Sequence, residues 1–266
     1  MNRPIGIFDS GLGGLTVVKA IQKELPQEYL VYFGDTARIP YGNKSPDTII
    51  RFSRQIIRFL ISREKVKAVV VACNTSSAWA LEAMRKEFKI PIWGVIEPGA
   101  SAAVEVTCNG RIGVIGTEGT VYSEAYPKAI HRLMPKAKVF SKACPLFVPL
   151  VEEGKVRGPV AEAVVREYLK PLLKEKIDTL LLGCTHYPLL KETIQENVGK
   201  EVQIVDSANE TAWTLYRNLE NYGVELSEQA IGKYYVSDMS RKFKENAQRF
   251  LGRPIKKVEK VFIEKY

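Results

Sequence analysis

Cys73 and Cys184 each stand at the end of an apolar run, and the residues around them read as two copies of one design: AVVVA-CNT over 68–75 and TLLLG-CTH over 179–186. One thiol in such a place is a candidate nucleophile. Two in matching places suit a reaction that needs a sulfur on each side of its substrate. Inversion of a carbon centre is such a reaction: a proton leaves one face and another returns to the opposite face. A free thiol titrates near ~8.5 and is mostly protonated at neutral pH. A helix N-terminus, with its unpaired N–H groups and partial positive charge, favours the thiolate. Asn74 and Thr75 are placed to cap a helix over SSAWALEAMRKEF. Thr185 follows the second thiol, and Pro188 suits the first turn of a helix over PLLKETIQEN. Both sulfurs are therefore expected to gain thiolate character. Cys108 and Cys144 have no such followers and read as small buried apolar residues.

His186 lies two residues after Cys184, close enough to exchange a proton with the thiol or a substrate, and an imidazole near ~6.5 suits that work. Asp9 ends the first apolar run, in FDSGLGG. It is either an ordinary helix cap or a site carboxylate that polarises the first thiol. His131, in AIHRLM, has no polar constellation around it and reads as surface. The glycine-rich turn DSGLGG invites a nucleotide reading, which fails. Gly11 and Gly13 fit a dinucleotide fingerprint, but Thr16 stands where its last glycine belongs, and no Gly-Lys-Ser/Thr follows. What survives is a set of backbone amides able to bind carboxylates, after Asp9 and at Tyr41-Gly42, Asn74-Thr75 and Thr185-His186.

Short apolar runs alternate with amphipathic stretches along the chain. Strands are expected over 5–8, 30–33, 68–72, 92–96, 111–116, 138–143, 179–183 and 202–206. Helices are expected over 15–25, 47–64, 160–175, 210–222 and 240–251. Near-continuous apolar strands alternating with helices imply parallel sheets covered on both faces, an α/β fold. The strands also pair at a nearly constant offset. Ile5 matches Ile112, Pro40 matches Pro149, Cys73 matches Cys184 and Glu97 matches Asp206, at offsets of 107, 109, 111 and 109 positions. Four anchors in one order indicate an internal duplication. Two halves related by an approximate twofold would face each other, with the site in the cleft at the carboxyl ends of their strands. Chain crossings near Glu97–Pro98 and Asp206–Ser207 divide the chain into 1–97 plus 208–266 and 98–207.

The 266 residues suffice for two such bodies. A hydrophobic fraction of 45% and a charged fraction of 26% belong to the globular class. No run approaches the ~18 apolar residues of a membrane span, and MNRPIGIFDSG is too short an apolar start for a secretion signal. Cytoplasmic residence with reduced thiols is the expectation. Four cysteines and two histidines show no zinc-binding spacing. The net charge of +9 admits nucleic acid as a partner. Its lysines and arginines are interleaved with glutamates, however, as on a solvated face, and no helix-turn-helix or RNA-binding signature is present.

The motifs DSGLGG (9–14), GDTARIPYG (34–42), ACNTSSA (72–78), GVIEPG (94–99) and GCTHYPLL (183–190), with VDSA (205–208) and KFKENAQRFLG (242–252), span nearly the whole chain. Together and in this order they closely resemble the cofactor-independent aspartate/glutamate racemase family, and within it the glutamate racemases. The resemblance implies a two-base proton transfer at the α-carbon of glutamate, with no cofactor and no metal. Cys73 and Cys184 would be the two acid/base thiols, assisted by Asp9 and His186. Ser10, Pro40, Tyr41, Gly42, Asn74, Thr75 and Thr185 would hold the substrate, with Thr117, Thr120 and Glu152 at weaker family positions. It also implies two α/β domains, a homodimer, and a cytoplasmic enzyme that supplies D-glutamate for peptidoglycan. Near-attack geometry would place each sulfur roughly 3–3.5 Å from the α-carbon on opposite faces.

Overall fold

The computed structural model describes residues 3–221 and 232–266. Among the described residues ten strands form two sheets: β1 (Ile5–Asp9), β2 (Leu30–Gly34), β3 (Ala68–Val71), β4 (Ile92–Gly94), β5 (Arg111–Gly116), β6 (Lys138–Ala143), β7 (Thr179–Gly183), β8 (Gln203–Asp206), β9 (Lys233–Val236) and β10 (Glu259–Lys260). The first sheet runs β10-β9-β2-β1-β3-β4 and the second β6-β5-β7-β8. All their pairings are parallel, so this is an α/β fold of two helix-covered parallel sheets.

Burial on both faces explains why the strands read as apolar runs rather than alternating ones. Ile5, Ile7, Tyr32 and Val70 point to one side of the first sheet. They pack with Leu15, Val18 and Ile21 of the helix Leu15–Glu24 and with Ala212 and Leu215 of the helix Ser207–Asn221. Phe8, Val31, Phe33, Val69 and Val71 point the other way, onto Ile49, Ile56 and Leu60 of the helix Pro46–Ser62. In the second sheet, Val114 and Leu181 meet the helices Ile96–Val106 and Ala125–Leu133, while Leu180 and Leu182 share a core with Val165 and Leu169 of the helix Pro159–Lys174. Among the described residues no helix is long and apolar enough to cross a membrane.

The duplication is visible in the strand order. β2-β1-β3-β4 and β6-β5-β7-β8 are the same arrangement, and their registers agree. Ile5 faces Leu30 and Ala68; Ile112 faces Val139 and Thr179. One anchor moves. Val71 pairs with Gly94 and Leu182 with Asp206, so the counterpart of Asp206 is Gly94 and not Glu97. The expected strand 92–96 ends at Gly94, and Glu97 lies in the first turn of the helix Ile96–Val106.

The chain after 207 holds more than helices. β9 adds to the edge of β2 and β10 to the edge of β9. The helix expected over 210–222 runs Ser207–Asn221, and position 222 lies outside the described residues. The chain passes from the first sheet to the second through the helix Ile96–Val106 and returns through Ser207–Asn221.

Candidate active site

The carboxyl ends of both sheets converge on one cavity of about 380 Å³. Cys73 follows β3 and Cys184 follows β7, equivalent strands of the two halves, and both thiols line it. Ser10, Pro40, Tyr41 and Gly42 contribute from the first half, with Asn74 and Thr75 beyond Cys73. Thr117, Glu152, Thr185 and His186 contribute from the second. Two expected site residues stand behind the wall. Asp9 is wholly buried, and Thr120 is 1% exposed. Thr120 closes a triangle of hydroxyls with Thr75 and Thr117, with oxygens 2.9, 3.0 and 3.2 Å apart, which pins the turn after Cys73 to the turn after β5.

Cys73 itself caps the helix Asn74–Trp79, its sulfur accepting the Ser76 N–H at 3.4 Å; Asn74 and Thr75 are that helix's first residues, not its caps. The expected thiolate character does not follow. Burial and the nearby charge of Asp9 push the Cys73 thiol up to about 11, against the pull of the Ser76 amide and the Ser76 and Ser10 hydroxyls. One buried carboxylate and a dry wall outweigh a helix of two turns. Asp9 is held by the Gly11 N–H at 2.9 Å and by the Thr185 hydroxyl at 3.3 Å, so it links the turn after β1 to the turn after Cys184. Burial raises its carboxyl above the ordinary value, opposed by the charge of His186 and by these hydrogen bonds.

The second thiol has different company. The turn after Cys184 closes through Tyr187 N–H onto the Cys184 carbonyl, and a short 3₁₀ segment, Tyr187–Leu190, precedes the helix Lys191–Val198. His186 is therefore the distinctive neighbour rather than a helix end. Its Nε2 lies 3.0 Å from Glu152 Oε1, its ring stands edge-on to Phe250 at 4.9 Å, and it hydrogen-bonds Cys184. Burial pulls the imidazole down. The hydrogen bonds and charges of Cys184 and Glu152 outweigh that and push it up to about 10. His186 is thus a cation at neutral pH. The cavity lining holds no lysine or arginine among the described residues, and His186 is the local positive charge there.

A histidine raised from 6.5 to about 10 stabilises the fold fully below pH 6.5, and that contribution is lost as pH rises through 10. Cys73, raised from 9.0 to about 11, acts in the same sense between those values. Urea denaturation should show the unfolding free energy falling from pH 6.5 to 10, and His186→Asn should flatten the slope over that window. A wild-type profile that is level there would refute the assignment of His186 as a buried cation.

Sequence reasoning missed Ile39, Asn43, Glu118, Pro145, Val148 and Glu153, which also line the cavity. Asn43 was within reach: applying the Pro40–Pro149 offset of 109 positions to Glu152 gives Asn43. Pro149, an anchor of the duplication, joins the lining as well. Cys144 is buried as expected, whereas Cys108 is exposed, because its backbone N–H turns in to the Asp178 carboxylate at the end of a helix. His131 is exposed, its ring bonded to the Ala137 carbonyl.

Comparisons with known proteins agree with the fold. The sequence profile described as Asp/Glu/Hydantoin racemase matches residues 13–215. The chain is similar to the glutamate racemase of Geobacter metallireducens, 54% identical over 266 residues that cover 98% of this chain and 97% of that protein. Among solved structures, the glutamate racemase of Francisella tularensis in complex with D-glutamate matches with a TM-score of 0.93 at 41% identity, covering 100% of this chain and 99% of that one. A glutamate racemase isoform from Bacillus anthracis matches with a TM-score of 0.92 at 42% identity, covering 97% of both chains.

Proposed function

The chain belongs to the Asp/Glu/Hydantoin racemase family, and from that premise we propose that it racemises glutamate with Cys73 and Cys184 as its two acid/base groups. One observation supports this above the others: two thiols from equivalent strand ends of a duplicated fold share the wall of one cavity. One sulfur, as thiolate, takes the α-hydrogen. The opposite sulfur, as thiol, gives its proton to the other face. The product is the enantiomer, and the two sulfurs have exchanged protonation states. The reverse reaction starts from that exchanged state, so the enzyme needs no external acid or base to run both ways.

The α-hydrogen beside a carboxylate is a very weak acid, so the site must stabilise charge that builds in the transition state. Imidazolium His186, held by Glu152, stands next to Cys184 and puts a positive charge on that side of the cavity. Asp9 stands near Cys73 and disfavours a second anion there. The two sides thus differ in charge, with a carboxylate beside one sulfur and a cation beside the other. Ser10, Asn74, Thr75, Thr117 and Thr185 place hydroxyls and an amide on the cavity wall, where they can hold the substrate's carboxylates, with the backbone of Pro40, Tyr41 and Gly42 closing one side. Thr120 acts from behind through Thr75 and Thr117.

This reading carries the division into 1–97 with 208–266 and 98–207 as two racemase domains, and a homodimer working in the cytoplasm without a cofactor. The D-glutamate it makes supplies peptidoglycan synthesis. In D2O, L-glutamate should exchange its α-hydrogen and yield the D-isomer after dialysis against a chelator and without pyridoxal phosphate. A preference for aspartate in a parallel amino-acid series would overturn the substrate, and no exchange with any amino acid would overturn the reaction.

A further inference from the structure

The site's least accounted-for donor is the Asn74 carboxamide. Asn74 is 3% exposed and lines the cavity, yet its Nδ2 has no hydrogen-bond partner. A buried amide nitrogen without a partner is costly, so something must hold it in place. Its Oδ1 accepts from the Tyr126 hydroxyl at 2.6 Å. Tyr126 belongs to the opposite half, in the helix Ala125–Leu133, and is 1% exposed. The Ser207 side chain lies close by, since a Cβ on Gly99 would lie 3.0 Å from Ser207 Cβ and 3.2 Å from the Tyr126 hydroxyl. A phenol has one proton to give. That proton goes to Asn74 Oδ1, which can only accept, and this fixes which end of the carboxamide is left as the free donor.

The surroundings of Tyr126 hold the ring in turn. A Cβ on Gly183 would lie 3.0 Å from its ring, and a Cβ on Gly99 would lie 3.2 Å from both ring and hydroxyl. Gly183 immediately precedes Cys184. Gly99 and Ser207 belong to the two helices through which the chain crosses between the sheets. One side chain therefore touches the strand end before Cys184, the residue after Cys73 and both crossings.

We propose that Tyr126 is a positioning residue: it orients Asn74 so that Nδ2 donates to a substrate carboxylate, and it ties that donor to the relative placement of the two thiol-bearing turns. The proposal rests on the reading of Asn74 as a substrate-holding residue. A neutral donor that contacts a carboxylate in ground and transition state alike contributes mainly uniform binding, so its loss appears in KM more than in kcat.

Four enzymes test it: wild type, Tyr126→Phe, Asn74→Ala and the double variant, each assayed for racemisation in both directions and for Tm. Tyr126→Phe keeps the buried ring and removes only the hydroxyl. It should raise KM about five- to tenfold, the scale of one hydrogen bond, with kcat within about twofold. The Tyr126→Phe effect should vanish in the Asn74→Ala background, whatever the shift in Tm. If the two losses simply multiply, the proposal falls and the role of Asn74 stands. If Asn74→Ala leaves KM and kcat unchanged, the substrate role of Asn74 falls and takes the proposal with it.

Discussion

Cys73→Ala and Cys184→Ala should each abolish racemisation while leaving half of the reaction intact, and opposite halves. Removing a positioned acid or base typically costs about 10²–10⁴ in rate, so inversion by either variant should drop by at least about that factor. The remaining thiol still faces one side of the α-carbon. In D2O it can remove the α-hydrogen of the enantiomer that presents that hydrogen to it and return deuterium to the same face. Each variant should therefore exchange one enantiomer of glutamate with retention and leave the other untouched, and the enantiomer should switch between the two variants. NMR of the recovered substrate, with chiral chromatography, reads both outcomes at once. Exchange of the same enantiomer by both variants would place the two sulfurs on one face. Unimpaired inversion by either would remove that thiol from the chemistry. Both cysteines are buried and small, so alanine removes one sulfur with little volume change, and a matched Tm shows that the fold persists.

The environments of the two thiols make these variants unequal in their pH response. Cys73 titrates at about 11, and the His186 imidazole beside Cys184 at about 10. The direction that uses Cys73 as base starts from a thiolate that is rare at neutral pH. Its kcat/KM should rise with pH up to the apparent pKa of that thiol, whereas the direction that uses Cys184 starts from a sulfur beside an imidazolium. Asp9 and His186 thus put opposite charges beside the two thiols, and the sequence, which offered one as a carboxylate polarising Cys73 and the other as a proton carrier beside Cys184, could not reveal that burial raises the Cys73 thiol and that Glu152 holds His186 as a cation.

What was legible in the chain was what repeats. β1, β5, β3 and β7 are buried on both faces, so their composition is apolar throughout, and a duplicated fold writes the signal twice. The paired thiols, Pro40 with Pro149 and the matched strand order all come from that redundancy. Less legible were elements whose sequence carries a contrary local signal. IEPGASAAVEV opens with Pro98 and Gly99, which read as a break, yet proline is tolerated in a helix's first turn and Gly99 is needed where Tyr126 presses on the backbone. β9 is KYYV, four residues made a strand by the unsatisfied edge of β2 rather than by its own pattern. Partner choice was not legible at all. Nothing in SGLGG says that Gly13 packs on Thr185 and His186, 172 and 173 positions later, or that Tyr126 reaches Asn74 across the cleft. The tertiary structure decides those contacts, and they set the electrostatics of the site.

Gly13→Ala should therefore be among the most damaging single-methyl changes in the protein, though Gly13 is neither a thiol nor part of the cavity wall. Its φ lies outside the left-handed region, so alanine meets no backbone penalty there. The obstacle is space: an added Cβ would sit 2.3 Å from Thr185 Oγ1, 2.5 Å from His186 Nδ1 and 2.8 Å from His186 Cε1. Neither side chain can step back cheaply. Thr185 donates to buried Asp9, and His186 is fixed between Glu152 and the ring of Phe250. Relief requires the imidazole to leave its place beside Cys184, which removes the local cation and separates the two halves at the site. Overpacking of this kind costs about 1–3 kcal/mol of stability, and a 1 Å displacement of catalytic groups costs about 10²-fold in rate. The expected result is a folded enzyme with a modestly lowered Tm, kcat down about 10²-fold or more, and a flattened dependence of stability on pH between 6.5 and 10, since His186 would no longer be buried against its partners. Gly199→Ala is the control: at φ +82° with nothing within 4 Å of the new Cβ, it strains the backbone far from the site and should lower Tm while leaving kcat unchanged. Full activity in Gly13→Ala would mean that the imidazole can move without consequence, and with it would go the assignment of His186 as the charge the site needs beside Cys184.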